Sequence, residues 1–119
     1  MSPDAQRMHA LALANKRRLA GAHIKSDLAA GRITFDQALR DPRAEAVRVV
    51  DLINALWGWG PNKVTSVATQ LQLGPKTRVR DLSKRRVVQI GHEVAARHDQ
   101  IARMRERRQR RVARRQVAA

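Results

Sequence analysis

Within ALWGWGPNKVTSVATQL, residues 55–71, Gly58, Gly60, Pro61 and Lys63 together set up a place to hold an anion. The two glycines permit backbone angles that a side chain forbids, and Pro61 suits the first turn of a helix, so the stretch starts a helix abruptly. That helix, expected over about Pro61 to Leu71, carries Val64, Val67, Ala68 and Leu71 at core spacing, which turns its unpaired N-terminal amides outward over the glycines. Outward amides at the positive end of a helix attract phosphate, and Asn62 and Lys63 stand beside them. Such a site reads a nucleic-acid backbone and ignores base identity.

Three further groups of cations could join it. QLGPKTRVRDLSKRRVV breaks at Gly74 and Pro75, is expected to run extended from Lys76 to Asp81, and restarts a helix at the N-cap Ser83. Alternation in the extended piece sends Val79 inward and Arg78 and Arg80 outward, where they can grip a phosphate on either side of the helix start; Lys76 and Lys84 flank them. Arg17, Arg18 and Lys25 lie on the solvent side of a long first helix. Residues 102–119 hold eight arginines against Glu106, among them Arg103, Arg107, Arg110, Arg111 and Arg114. This segment has neither proline nor glycine, and Val87, Ile90, Val94 and Ile101 suggest that the helix begun at Ser83 continues into it, against the alternative of a disordered basic arm that folds on binding.

Other chemistries find little material. There is no cysteine, and His9, His23, His92 and His98 are too scattered for a metal or catalytic set, so they read as solvated surface; no cofactor and no catalytic residue are expected. The two tryptophans read best as packing, Trp59 as a wedge beneath the turn and Trp57 at its edge, since two indoles without interleaved aromatics make a poor base-stacking platform. The 119 residues carry 25 Lys plus Arg against 10 Asp plus Glu, a net charge of +15. A chain so charged repels itself unless a polyanion neutralises it. No run approaches the length of a membrane-spanning helix, and MSPDAQRMHA lacks the features of a signal or lipidation sequence, so a cytoplasmic protein without a membrane partner is expected.

The elements that must position these groups are helices, with no alternation long enough for a sheet, so the fold class is all-α. A first helix is expected from about Asp4 to Ala30, with Leu19, Ile24 and Leu28 toward one face. Thr34 and Gln37 form a capping-box pattern opening a short helix through Leu39, and Asp41 before Pro42 starts another. Val47, Val49 and Val50 are β-branched and suggest an extended joint, followed by helical turns from Asp51 to Leu56 that offer Leu52, Ile53 and Leu56 to the core.

This order of helix, two successive turns, helix and basic connection resembles the helix-two-turns-helix fold. More closely, LINALWGWGPNKVTSVATQL followed by GPKTRVRDL resembles the actinobacterial integration host factor family, and KRRLAGAHIKSDLAAGRITFDQAL is similar to that family's basic first helix and following turn. The resemblance covers roughly Lys16 to Arg97. It implies a nucleoid-associated, non-enzymatic protein that binds double-stranded DNA through its phosphates, alters DNA path or compaction, and in some members assists phage site-specific recombination alongside a recombinase. It also implies that Gly58, Gly60, Lys63, Arg78 and Arg80 carry the contact, with Arg17, Arg18 and Lys25 adding a second one. Trp57, Pro61 and Thr77 depart from the family pattern, as does the arginine tail. The organisation expected is a basic helix over 1–33, a helix-two-turns-helix core over 34–101 and an arginine-rich arm over 102–119, in a monomer. The alternative is an RNA-binding or ribosome-associated module, because arginine-rich segments bind RNA by the same electrostatics. An adaptor docking a partner through the Ala-rich first helix is a further class, and a DNA glycosylase is disfavoured because the catalytic domain is missing.

Overall fold

The computed structural model describes residues 2–118 and contains five α-helices and no named strand among them. Helix α1 spans Pro3–Ala29, capped by the Ser2 hydroxyl, which accepts from the Ala5 N–H at 3.2 Å. Only its last third is in the core, through Gly21, Ile24 and Leu28. Leu19 does not join them and is 61% exposed. Five residues from Ile24, it lies about 140° round the helix from the buried stripe. Gly21 is what brings α1 close to the rest of the chain, since a Cβ there would meet Val47 Cγ2 at 3.0 Å.

Helix α2, Phe35–Arg40, forms with the expected reciprocal cap: the Gln37 N–H donates to Thr34 Oγ1 at 3.2 Å and the Thr34 N–H to Gln37 Oε1 at 2.9 Å. Asp41 then caps a single 3-10 turn at Pro42–Ala44. Helix α3 is Val49–Ala55, so Val49 and Val50 are helical and not part of an extended joint. Burial decides this over β-propensity, because the helical start places Val49 with Leu52 and Ile53, all fully buried. The extended stretch shrinks to Val47 and Arg48, which pair with residues 77–79: the Val49 N–H donates to the Thr77 carbonyl at 2.9 Å and the Val79 N–H to the Val47 carbonyl at 3.0 Å.

Helix α4 is Pro61–Gln70, its first turn capped by glycine backbone alone. Residues 76–81 are not extended throughout, since Asp81 accepts from the Arg78 N–H at 3.0 Å and tightens Val79–Asp81 into a 3-10 turn. Helix α5 is continuous from Lys84 to Ala118, 35 residues, opened by Ser83, whose hydroxyl accepts from the Arg86 N–H. The basic tail is thus the outer half of one helix and not a disordered arm. Ile90 and Val94 seat α5 against α2, where Gly91 approaches Asp36. The radius of gyration of 18.4 Å exceeds the roughly 13.5 Å of a compact chain this long, because both long helices project from the core and stretch the molecule to 74 Å.

Candidate nucleic-acid interface

Part of the predicted set of cations falls on two grooves. The first runs between the inner half of α1 and the paired segments 46–48 and 78–80, and is lined by Arg17, Arg18, Lys25, Arg48, Arg78 and Arg80. Gly21 makes this proximity possible. The backbone pairing of Val47 with Val79 then fixes Arg78 and Arg80 opposite the helix. Arg78 is further held by its own side chain, which donates to the Ala46 carbonyl. That bond occupies part of a guanidinium with five N–H donors and leaves others free for a ligand.

The acidic residues decide which cations are available. Asp27, Asp36, Asp41 and Asp51 pair with Arg32, Arg40, Arg43 and Arg48, the Arg48–Asp51 pair at 2.9 Å. Hydrogen bonding by Arg32, with a further contribution from Arg43, holds the Asp27 carboxyl below its usual range, and Arg43 does the same to Asp41. Among the described residues Arg17, Arg18, Lys25, Lys63, Lys76, Arg78, Arg80 and Lys84 have no such partner. The carboxylates pair mostly with arginines outside the predicted set, Arg103 with Asp99 excepted, and leave the cations of α1 and of the segment 78–80 without an acidic partner.

The second groove lies between the tryptophan turn and α5, lined by Trp57, Gly58, Lys63, Arg107, Arg108 and Arg111 among others. Its geometry explains both tryptophans. Trp59 is 8% exposed, and its indole N–H donates to His98 Nδ1 at 3.1 Å; the Arg105 guanidinium lies over the Trp57 ring, 3.6 Å from its centroid. Gly58 adopts φ 83°, and a Cβ there would stand 3.1 Å from Ile101 Cγ2. His98, Ile101 and Arg105 succeed one another at three and four residues, one face of α5, so the turn is docked edge-on to the helix at three consecutive points. Accepting at Nδ1 places the neutral His98 proton on Nε2. His98 is therefore a half-buried structural partner and not the solvated surface group expected.

The packing role expected of the tryptophans holds, but their partner went unread. The signal was present: His98 and Ile101 prolong the apolar stripe of Ile90 and Val94, and Arg105 follows it.

Arg78 and Arg80 do not line the groove at Gly58 and Lys63; they face Arg17, Arg18 and Lys25. The expectation that they bracket a phosphate presented by the α4 amides fails, because the pairing with residues 46–48 turns them toward α1. The α4 start itself is open. Gly60 offers no side-chain cap, Pro61 has no N–H, and the first backbone bond of the helix is that of Val64 to Gly60, which leaves the amides of Asn62 and Lys63 to a ligand. Lys76 and Lys84 are exposed outside both grooves. On the arm, Arg107 and Arg111 face the tryptophan turn, while Arg103, Arg110 and Arg114 do not line the groove. Arg103 approaches Asp99 only at 4.0 Å.

Among the described residues no cluster of three metal-ligating side chains occurs, and no helix is long and apolar enough to cross a membrane. No protein-family model matches the chain, and no curated protein does. Among solved structures it is similar to sIHF bound to an 8-base-pair palindromic DNA, at a TM-score of 0.61 and 19% identity, over 68% of this chain and 96% of that one. The chain has the fold of that protein.

Proposed function

We propose that this protein is an architectural double-stranded DNA-binding protein that grips phosphates with little regard to base sequence. The observation that carries the reading is the first groove, in which cations from α1 and from the segment 78–80, left unpaired by the chain's own carboxylates, converge on one concave surface. Support comes from the sIHF likeness, since that protein was solved on DNA, and from the net charge of +15. The open amides of Asn62 and Lys63 and the arm add further phosphate contacts beside Trp57. The reading assigns no catalytic residue and no cofactor. It extends to a monomer in the nucleoid that bends or compacts the duplex and assists a DNA-bound recombinase.

The test is a salt series comparing duplex DNA, duplex RNA and single strands. Five groove cations on phosphates give a log–log slope of roughly −4 or steeper, and two unrelated DNA duplexes bind within about tenfold of one another. A shallow slope, or tighter binding of RNA, overturns the proposal.

A further inference from the structure

The outer half of α5 carries arginines on opposite faces. Apart from Trp57 against Arg105, no contact from the core covers it, and every residue from Ala102 to Ala118 is exposed. Arg103, Arg110 and Arg114 recur at seven and four residues, within about 40° of one another, on a stripe about 160° round from Ile101. Arg105 and Arg108 lie on the Ile101 side, next to the tryptophan turn and Lys63. A helix that rests on a single phosphate backbone needs cations along one stripe only. Two opposed cationic faces match a trough with phosphates on both walls. The α-helix is about 10–12 Å across, and the major groove of B-form DNA is about 12 Å wide, whereas the minor groove is about 6 Å wide and shuts a helix out. The deep, narrow major groove of A-form RNA excludes it as well.

Docking fixes how the helix would enter. The bonds to Trp57 and Trp59 hold the root of the arm beside the open amides of α4, so a strand passing Lys63 has Arg108 and Arg111 alongside it. The face turned away from the core then meets the other strand. Like-charged arginines at a spacing of four, such as Arg103 with Arg107 and Arg110 with Arg114, repel along the free helix, and phosphates on both sides relieve that repulsion.

From these features we infer that residues 103–115 lie in the major groove of duplex DNA, with Arg103, Arg110 and Arg114 on the strand far from the core and Lys63, Arg108 and Arg111 on the near one. The inference rests on the DNA-binding reading above.

The test uses the full chain and two duplexes of the same sequence, one unmodified and one whose cytosines carry glucosylated hydroxymethyl groups that fill the major groove. The wild-type protein should bind the filled duplex at least about tenfold more weakly. The variant Arg103→Ala, Arg110→Ala, Arg114→Ala, which keeps good helix formers on exposed positions, should distinguish the two duplexes by less than about twofold. Netropsin in the minor groove should leave wild-type affinity unchanged. Wild-type affinity that ignores the filled major groove, or that falls with netropsin, overturns the arm's placement while leaving the DNA reading intact. Failure to bind the unmodified duplex overturns both.

Discussion

Replacing Arg78 and Arg80 singly separates what the first groove does for binding from what it does for the fold. The Arg80 guanidinium has no ion-pair partner among the described residues, so Arg80→Ala should leave stability within about 0.5 kcal/mol of wild type. The Arg78 side chain donates to the Ala46 carbonyl, and its loss should cost about 0.5–1.5 kcal/mol, read as an earlier urea midpoint at unchanged slope. Binding should respond differently. A charge-assisted hydrogen bond to phosphate is worth about 1.5–3 kcal/mol, so Arg80→Ala alone should weaken duplex affinity by about tenfold or more. Because Arg78 already commits a donor to Ala46, the double variant should lose about 2–5 kcal/mol and not the full sum. Its salt slope should flatten by about 1.8, two contacts at about 0.9 each. Fluorescence anisotropy on a labelled duplex at several salt concentrations, beside urea titrations of the same samples, measures all of these. Unchanged affinity of Arg80→Ala at moderate salt would show that the groove is solvated surface and refute the assignment.

Gly58→Ala forces a side chain onto a backbone at φ 83° and into Ile101, and should destabilise the fold by about 1–3 kcal/mol in urea titration; a neutral result would mean the turn relaxes freely away from α5. Trp59→Phe deletes the bond to His98 and should cost about 0.5–1.5 kcal/mol beyond the change in ring size, whereas adding His98→Ala to it should cost little more, a coupling that a double-mutant cycle reads directly. Hydrogen bonds from Arg32 and Arg43 hold the Asp27 and Asp41 carboxyls below the ordinary carboxylate range when folded, so their contribution to stability is complete above that ordinary range and disappears as pH falls through the lower folded values. Asp27→Asn should therefore be destabilising at neutral pH, and the difference from wild type should shrink as pH falls through the carboxylate range, as followed by thermal melts across pH.

Signals that act over one turn of chain were legible in the sequence. The Thr34–Gln37 box, the Asp41 cap and Ser83 all start the elements they suggest, because each is a bond between residues two to three apart, and the glycines before Pro61 do so through local backbone freedom. The cations themselves could be read as well, since exposed arginines outnumber the carboxylates able to quench them. Their grouping could not. It depends on Gly21 admitting Val47 and on Val47 pairing with Val79, contacts between segments whose separation along the chain leaves no periodic trace. The tryptophans are the clearest case: Trp59 and His98 stand 39 residues apart, and only packing shows that an indole and an imidazole are one joint. Val49 and Val50 went the other way for the same reason, local β-preference yielding to burial.

The unbroken course of α5 from Lys84 to Ala118 has a mechanical consequence. Beyond Gly91 the helix has no glycine or proline at which to hinge, and the tryptophan turn braces it at His98, Ile101 and Arg105, so arm and core form one stiff bracket. A duplex touched at both ends of such a bracket has to take up the angle between them, since the protein has no joint with which to take up the duplex's. On the proposed DNA-binding reading, curvature would be set by the protein's template, and sequences that kink at low cost, such as pyrimidine–purine steps, would be favoured at positions no side chain reads.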